Sequence, residues 1–170
     1  MAAAADAAKV AKRVSDVVAE GGHHLDLSNC ALNGFPLGLY LSIGAAAENI
    51  YSISLANNGM KSLTGKFFTF FTELQELNLE GNLLAKLPHE VSQSSKLRII
   101  NLSKNKFDTF PVELTEIQCI ENINLEDNQI KEIPIEPLKH LSNLSSVNLK
   151  HNPINKDDPN LSDLKCKLVL

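Results

Sequence analysis

LQELNLEGNLL (residues 74–84), LRIINLSKNKF (97–107), IENINLEDNQI (120–130) and LSSVNLKHNPI (144–154) are four copies of one eleven-residue line. Each has apolar residues at positions 1, 4, 6 and 11 and asparagine at position 9. IYSISLANNGM (50–60) fits in full, and GHHLDLSNCAL (22–32) fits with Gly22 at position 1 and Cys30 at position 9. The position-6 leucines Leu27, Leu55, Leu79, Leu102, Leu125 and Leu149 are separated by 28, 24, 23, 23 and 24 residues. The long first step absorbs an insertion around Gly44-Ala45-Ala46-Ala47. A unit repeated at this period cannot bury its apolar face alone and is stable only when stacked on its neighbours.

Positions 4 and 6 are two apart, so both fall on one side of a short strand. The pairs Leu25/Leu27, Ile53/Leu55, Leu77/Leu79, Ile100/Leu102, Ile123/Leu125 and Val147/Leu149 are therefore expected to face inward. Positions 3, 5 and 7 face outward. The strands run the same way, which predicts one parallel sheet with a concave open face. After position 11 come Phe35-Pro36, Leu87-Pro88, Phe110-Pro111 and Ile133-Pro134, where proline opens a returning segment. Repeat two has Thr64 there and four phenylalanines, Phe67, Phe68, Phe70 and Phe71, of which two or three are expected to pack inside. Helical spacing, as in Leu114, Ile117 and Ile120, predicts short helices or turns on the convex side.

The expected fold is thus an α/β repeat solenoid in one structural domain. Residues 1–21 form an N-terminal capping helix, 22–155 six repeats, and 156–170 a C-terminal cap or tail. Val10, Val14 and Val17, with Ala3, Ala7 and Ala11, give the first segment an apolar stripe, and Gly21-Gly22 end it. At the other end Asp158 is expected to N-cap a short helix beginning at Pro159, with Leu161, Leu164 and Leu168 covering the last repeat. The position-9 residues Asn58, Asn82, Asn105, Asn128 and Asn152 are read as a structural ladder of buried amides bonded to backbone.

The whole pattern resembles the leucine-rich repeat family, in its small intracellular type. "LDLSNC", "ISLANN", "MKSLTGKF", "LEGNLL" with "KLPHEV", "INLSKN" and "INLEDNQI" carry the resemblance, up to about residue 155. It implies a leucine-rich repeat solenoid without a catalytic motif, and it supplies no binding residues to transfer.

The net charge of -4, with acidic and basic residues interspersed, argues against a nucleic-acid arm or a polybasic membrane patch. No apolar run reaches the roughly 20 residues of a membrane span, and the start of the chain does not read as a signal peptide. Cys30, Cys119 and Cys166 are too few and too scattered for a disulfide-rich cap, so a cytoplasmic location is expected. His24 and His151 lie at opposite ends of the sheet, about 24 Å apart at roughly 4.8 Å per strand, too far to share a metal or a proton. His23, His24 and Asp26 are neighbours, but exposed polar residues on an end strand are the ordinary reading. No phosphate loop or nucleophile elbow is present. The expectation is no enzyme, no cofactor and no metal.

What remains is a surface for holding a protein partner, with the chain monomeric on its own. Ile99 is an apolar residue expected to face solvent among polar neighbours. Tyr51 and Arg98 lie at the strand margin, Leu83 in the adjoining loop, and Glu76, Glu80 and Glu126 around them. With Asn78, Asn101, Asn122 and Asn124 they form an expected binding patch over repeats two to five, an apolar centre in an acidic surround. The position-5 asparagines suit either a polar readout surface or simply a crowded exposed sheet. The expected function is a non-catalytic interaction scaffold. The alternative is a regulatory or targeting subunit of an enzyme complex, in a phosphatase or GTPase pathway, using the same surface.

Overall fold

The computed structural model describes residues 2–170, with side chains from Asp6 onward. The chain opens with helix α1 (Ala2–Glu20) and then lays down strands β1 (His24–Asp26), β2 (Ser52–Ser54), β3 (Glu76–Asn78), β4 (Ile99–Asn101), β5 (Asn122–Asn124), β6 (Ser146–Asn148) and β7 (Lys167–Val169). They form one sheet in chain order, every pair parallel. Each strand is three residues long, and its middle residue points into the core: Leu25, Ile53, Leu77, Ile100, Ile123 and Val147 are buried. The sequence reading expects six strands. β7 is a seventh rung, because Leu168 aligns with Val147 although no asparagine line announces it.

The returns on the convex side are short. Helices α2 (Leu37–Ile43), α3 (Gly65–Phe70) and α4 (Ile135–Lys139) alternate with 3-10 turns at Gly44–Asn49, His89–Gln93, Val112–Glu116 and Pro159–Asp163. Pro36, Pro88, Pro111 and Pro134 sit immediately before these elements, the first three with extended backbone, and Thr64 does the same before α3. Proline thus fixes the corner and leaves the first turn to the residues after it. α2 and the following turn are the insertion that lengthens repeat one. Phe67, Phe68 and Phe71 are buried and Phe70 half-buried. Phe35 meets Phe67 and Phe71 edge-on, and Tyr40 meets Phe70 likewise, so the aromatic run is filling rather than surface.

Each strand ends in the same turn. The residue at position 8 has positive φ in all six repeats: Asn29 (53°), Asn57 (54°), Gly81 (67°), Lys104 (54°), Asp127 (55°) and His151 (61°). This left-handed step swings position 9 inward. There Asn105 takes the Leu84 N–H on its Oδ1 at 3.0 Å and donates its Nδ2 to Leu79 O and Leu102 O at 2.9 and 3.1 Å. Asn82, Asn128 and Asn152 repeat this pattern, and Asn58 accepts from both Cys30 N and Leu32 N. Every asparagine therefore ties the end of its own strand to the preceding repeat.

α1 closes the first end in two ways. Val10 and Val14 are buried, and Val17 and Val18 pack partly against the core. Ala7 and Ala11 stay exposed, and the side chain of Ala3 lies outside those described. Within the sheet, position-6 and position-8 N–H groups donate to position-5 and position-7 carbonyls of the next repeat, as in Leu55 N to Asn78 O and Asn57 N to Glu80 O. The corresponding carbonyls of repeat one have no repeat before them. Arg13 supplies the missing donors: its Nη1 reaches Asp26 O and Ser28 O, both at 3.0 Å, and Lys9 Nζ reaches Asn29 O at 2.7 Å. At the other end Asp158 accepts from Asn160 N to start the last 3-10 turn.

Two substitutions measure these devices. Asn105→Ala strands the buried Leu84 N–H and takes one of two amide donors from each of Leu79 O and Leu102 O, which keep Asn82 and Asn128, so urea unfolding should show a loss of about 2 kcal/mol. Arg13→Met keeps much of the stem's packing but removes both donors. A loss of about 1 kcal/mol, with earlier hydrogen exchange in β1 than in β4, is expected.

Candidate functional site

The concave face consists of two columns that the register sets side by side. The first is His24, Ser52, Glu76, Ile99, Asn122, Ser146 and Lys167; the second is Asp26, Ser54, Asn78, Asn101, Asn124, Asn148 and Val169. Glu76, Ile99 and Asn122 are consecutive rungs, as are Asn78, Asn101 and Asn124, so seven-strand stacking brings these six expected residues together. Ile99 is 38% exposed, on the fourth of seven rungs. Tyr51 lies at the strand-entry margin, its ring stacked on His23 at 4.9 Å. Arg98, on the same margin, is held by Glu121 through two bonds of 2.7 and 3.0 Å. Glu80 and Glu126 flank the strand exits. Leu83 is exposed but lies beyond the ladder, with its N–H on Met60 O, and is not on the strands.

The asparagines of the second column have a task that periodicity does not reveal. Each Oδ1 accepts the N–H two residues on: Glu80 N to Asn78, Ser103 N to Asn101 and Glu126 N to Asn124 at 3.0 Å, Lys150 N to Asn148 at 3.1 Å. Asp26 and Ser54 serve the same turn in repeats one and two. Half of each amide is thus committed to ending its strand. The Nδ2 halves alternate. Asn101 and Asn148 donate to Glu80 and Glu126 of the preceding repeat, at 3.4 and 3.1 Å. Asn78 and Asn124 follow repeats whose position 7 is Ala56 and Ser103. Among the described residues their Nδ2 groups have no partner.

Part of the surrounding charge is neutralised locally. Lys104 Nζ bonds Glu80 at 2.7 Å, and that bond and charge raise the lysine's pKa. His151 Nδ1 lies 2.9 Å from Asp127 and 3.6 Å from Glu126. Glu126, Asp127 and His151 offer three ligand atoms within 4.8 Å of one another, the one such group among the described residues, on an exposed loop. By contrast, the neighbours His23, His24 and Asp26 face Asn49 O, Ser52 Oγ and the Ser28/Arg13 pair respectively. Burial raises the Asp26 carboxyl, but bonds from Ser28 and the Arg13 charge outweigh it and leave the pKa below 3.8. Glu76 and Lys167 form no ion pair among the described residues. The expected acidic surround therefore reduces, on the strands themselves, to Glu76.

Exposed apolar surface elsewhere is on the convex side, at Leu37 and Leu41 of α2 and at Val112. Cys119 donates to Ser95 O and Leu97 O at 3.0 and 3.1 Å, and burial pushes its thiol up, as it does for Cys166. Cys30 is buried. A thiolate nucleophile needs the opposite environment, a cation close by and a depressed pKa.

The parallel single-residue-core rungs, the asparagine ladder and the short convex returns define a leucine-rich repeat solenoid. The family model described as Leucine rich repeat matches residues 48–107. Among known proteins the chain is similar to leucine-rich repeat-containing protein 20, with 47% identity over 91 residues to the Homo sapiens protein and 48% over 85 residues to that of Mus musculus. These stretches cover 54% and 50% of this chain and 50% and 46% of the relatives, so the chain spans about half the length of the curated relatives it matches. In structure it is similar to an LRR protein of Leptospira interrogans (TM-score 0.71, 28% identity, 82% of this chain and 34% of that one). It is also similar to the plant peptide hormone receptor RGFR1, solved in complex with RGF2 (TM-score 0.60, 30% identity, 71% of this chain and 20% of that one). No helix among the described residues is long and apolar enough to cross a membrane.

The thiol environments are checked by alkylation. At pH 7.5 Cys119 and Cys166 should react with iodoacetamide more slowly than free glutathione, followed by peptide mass mapping. A faster reaction at Cys119 would reopen a catalytic role.

Proposed function

We propose that this chain is a non-catalytic protein-interaction scaffold that holds its partner on the concave face of repeats two to five and the adjoining exit loops. The observation that carries the reading is Ile99, a large aliphatic side chain left exposed among polar neighbours at the centre of the sheet. Burying such a residue under a partner gains about 1 to 2 kcal/mol, and central apolar anchors ringed by polar groups are where interface energy concentrates. Arg98 adjoins it and Tyr51 lies two rungs away on the same margin, pre-oriented by a bidentate ion pair and by stacking respectively, so ordering them costs little on binding. The leucine-rich repeat fold supports an interaction role, and the plant peptide hormone receptor similar to this chain was solved in complex with RGF2.

Area extends the surface beyond the strands. Seven rungs at about 4.8 Å and about 10 Å of strand give a footprint on the order of 300 Å². A standard interface covers about 800 Å² per partner. The exit loops carrying Lys104, Asp127, Lys150 and His151 supply the rest. The three free thiols, scattered and partly or fully buried, suit a reducing cytoplasm.

The test is affinity capture from lysate with the wild-type chain and with Ile99→Glu, followed by rebinding of the recovered protein in purified form. Ile99→Glu should fold normally by circular dichroism and weaken rebinding at least tenfold. Equal binding by both would remove the concave face from the reading and direct attention to Leu37 and Leu41.

A further inference from the structure

In the second column of the concave face two amide donors lack partners among the described residues at a fixed spacing, and that spacing selects a backbone conformation; in the first column Asn122 Nδ2 is also free, beside Asn124 on the same rung. Asn78 Nδ2 and Asn124 Nδ2 are two rungs apart, about 9.6 Å at roughly 4.8 Å per rung. Between them lies the rung of Ile99, whose own asparagine, Asn101, already donates to Glu80. A ligand running along the sheet must present two carbonyl oxygens at that separation, on one side, with apolar surface between.

An extended β segment does not do this. Its same-side carbonyls recur at about 6.8 Å and 13.6 Å. An α-helix has its carbonyls bonded internally. Polyproline II has three residues per turn and a rise of about 3.1 Å, so carbonyls i and i+3 lie on the same side about 9.3 Å apart, and none is internally bonded. The two residues between them, when proline, lay their rings over Ile99.

Charge fixes the ends. Glu76 and Lys167 stand in the same column, four rungs or about 19 Å apart, and neither is paired among the described residues. At about 3.1 Å per residue that distance is spanned by about six steps of polyproline II.

Resting on the concave-face reading above, we propose that this surface binds a proline-rich segment of about seven residues in polyproline II conformation. It lies across the strands with a basic residue over Glu76 and an acidic residue over Lys167. Asn78 and Asn124 read its backbone and Ile99 its rings. The alternation of Ala56, Glu80, Ser103 and Glu126 at position 7 creates the site, because a glutamate there occupies the asparagine of the next repeat and a small residue leaves it free.

The probe is a fluorescein-labelled heptapeptide with lysine at one end, glutamate at the other and proline in the interior, made in both orders. A control has the same ends and a Gly/Ser interior. Anisotropy should show the proline peptide binding about tenfold tighter in one order, since the flexible control must be ordered on binding. The double variant N78S/N124S should weaken it about tenfold, by loss of two hydrogen bonds, while N148S, whose amide is already held by Glu126, stays within about twofold. Serine is chosen because Ser54 already fills this turn in repeat two, so the variants should fold. Glu76→Lys should abolish the preference for order. Equal affinity for the flexible control, no effect of N78S/N124S, or no saturation at about 1 mM peptide would overturn the proposal. If a rebinding partner is still lost in Ile99→Glu, such a result removes only the polyproline inference; if it is not, the concave-face reading falls as well.

Discussion

One constraint governs the molecule: a chain that turns sharply into its own core every 23 to 28 residues must satisfy the backbone groups it buries there. A buried unpaired N–H or C=O costs about 1 to 3 kcal/mol, and a solenoid incurs the problem at every repeat. The left-handed residue at position 8 makes the turn, and the asparagine behind it supplies one acceptor and two donors in the volume available. Lys104 and Asp127 hold positive φ with their N–H groups locked into the ladder: Lys104 N donates to Glu126 O and Asp127 N to Lys150 O. The strain of a left-handed non-glycine residue, about 1 kcal/mol, is smaller than the hydrogen bonds that depend on it.

The same arithmetic explains the first end. Translation along the solenoid satisfies every interior carbonyl by the repeat before it, so only repeat one is short of donors. Arg13 has the right geometry for two carbonyls because one guanidinium nitrogen lies between Asp26 O and Ser28 O. α1 is thus electrostatic closure as much as apolar covering. The apolar stripe of α1 is visible in the sequence, whereas Arg13 falls on its polar side and gives no sign of where it reaches.

That contrast describes how far the sequence could be read. Strand register, inward pairs and the inward asparagines follow from spacing, because spacing determines which side of a strand a residue faces. Partner identity does not follow from spacing. Asn78, Asn101, Asn124 and Asn148 look identical in the sequence, and two of them differ from the others only through the residue at position 7 of the preceding repeat. Likewise Glu80 and Glu126 look like an acidic surround until Lys104 and His151 come from the next repeat's turn to meet them. β7 is the opposite case: Lys167, Leu168 and Val169 match no repeat line, yet backbone pairing to β6 needs none.

A binding surface emerges from what the scaffold leaves over. The outward columns first supply the turns with acceptors, and Lys104 of the next repeat then neutralises Glu80. What faces solvent unpaired on the strands, among the described residues, is sparse: Glu76, the Ile99 side chain, the amide nitrogens of Asn78, Asn122 and Asn124, and Lys167. Sparse groups on a rigid sheet discriminate well, because each is held at a separation that thermal motion of a three-residue strand barely changes. A folded protein surface would need to match all of them with fixed side chains across about 19 Å. A regular backbone matches them by its own periodicity, and only a conformation without internal hydrogen bonds has carbonyls to offer.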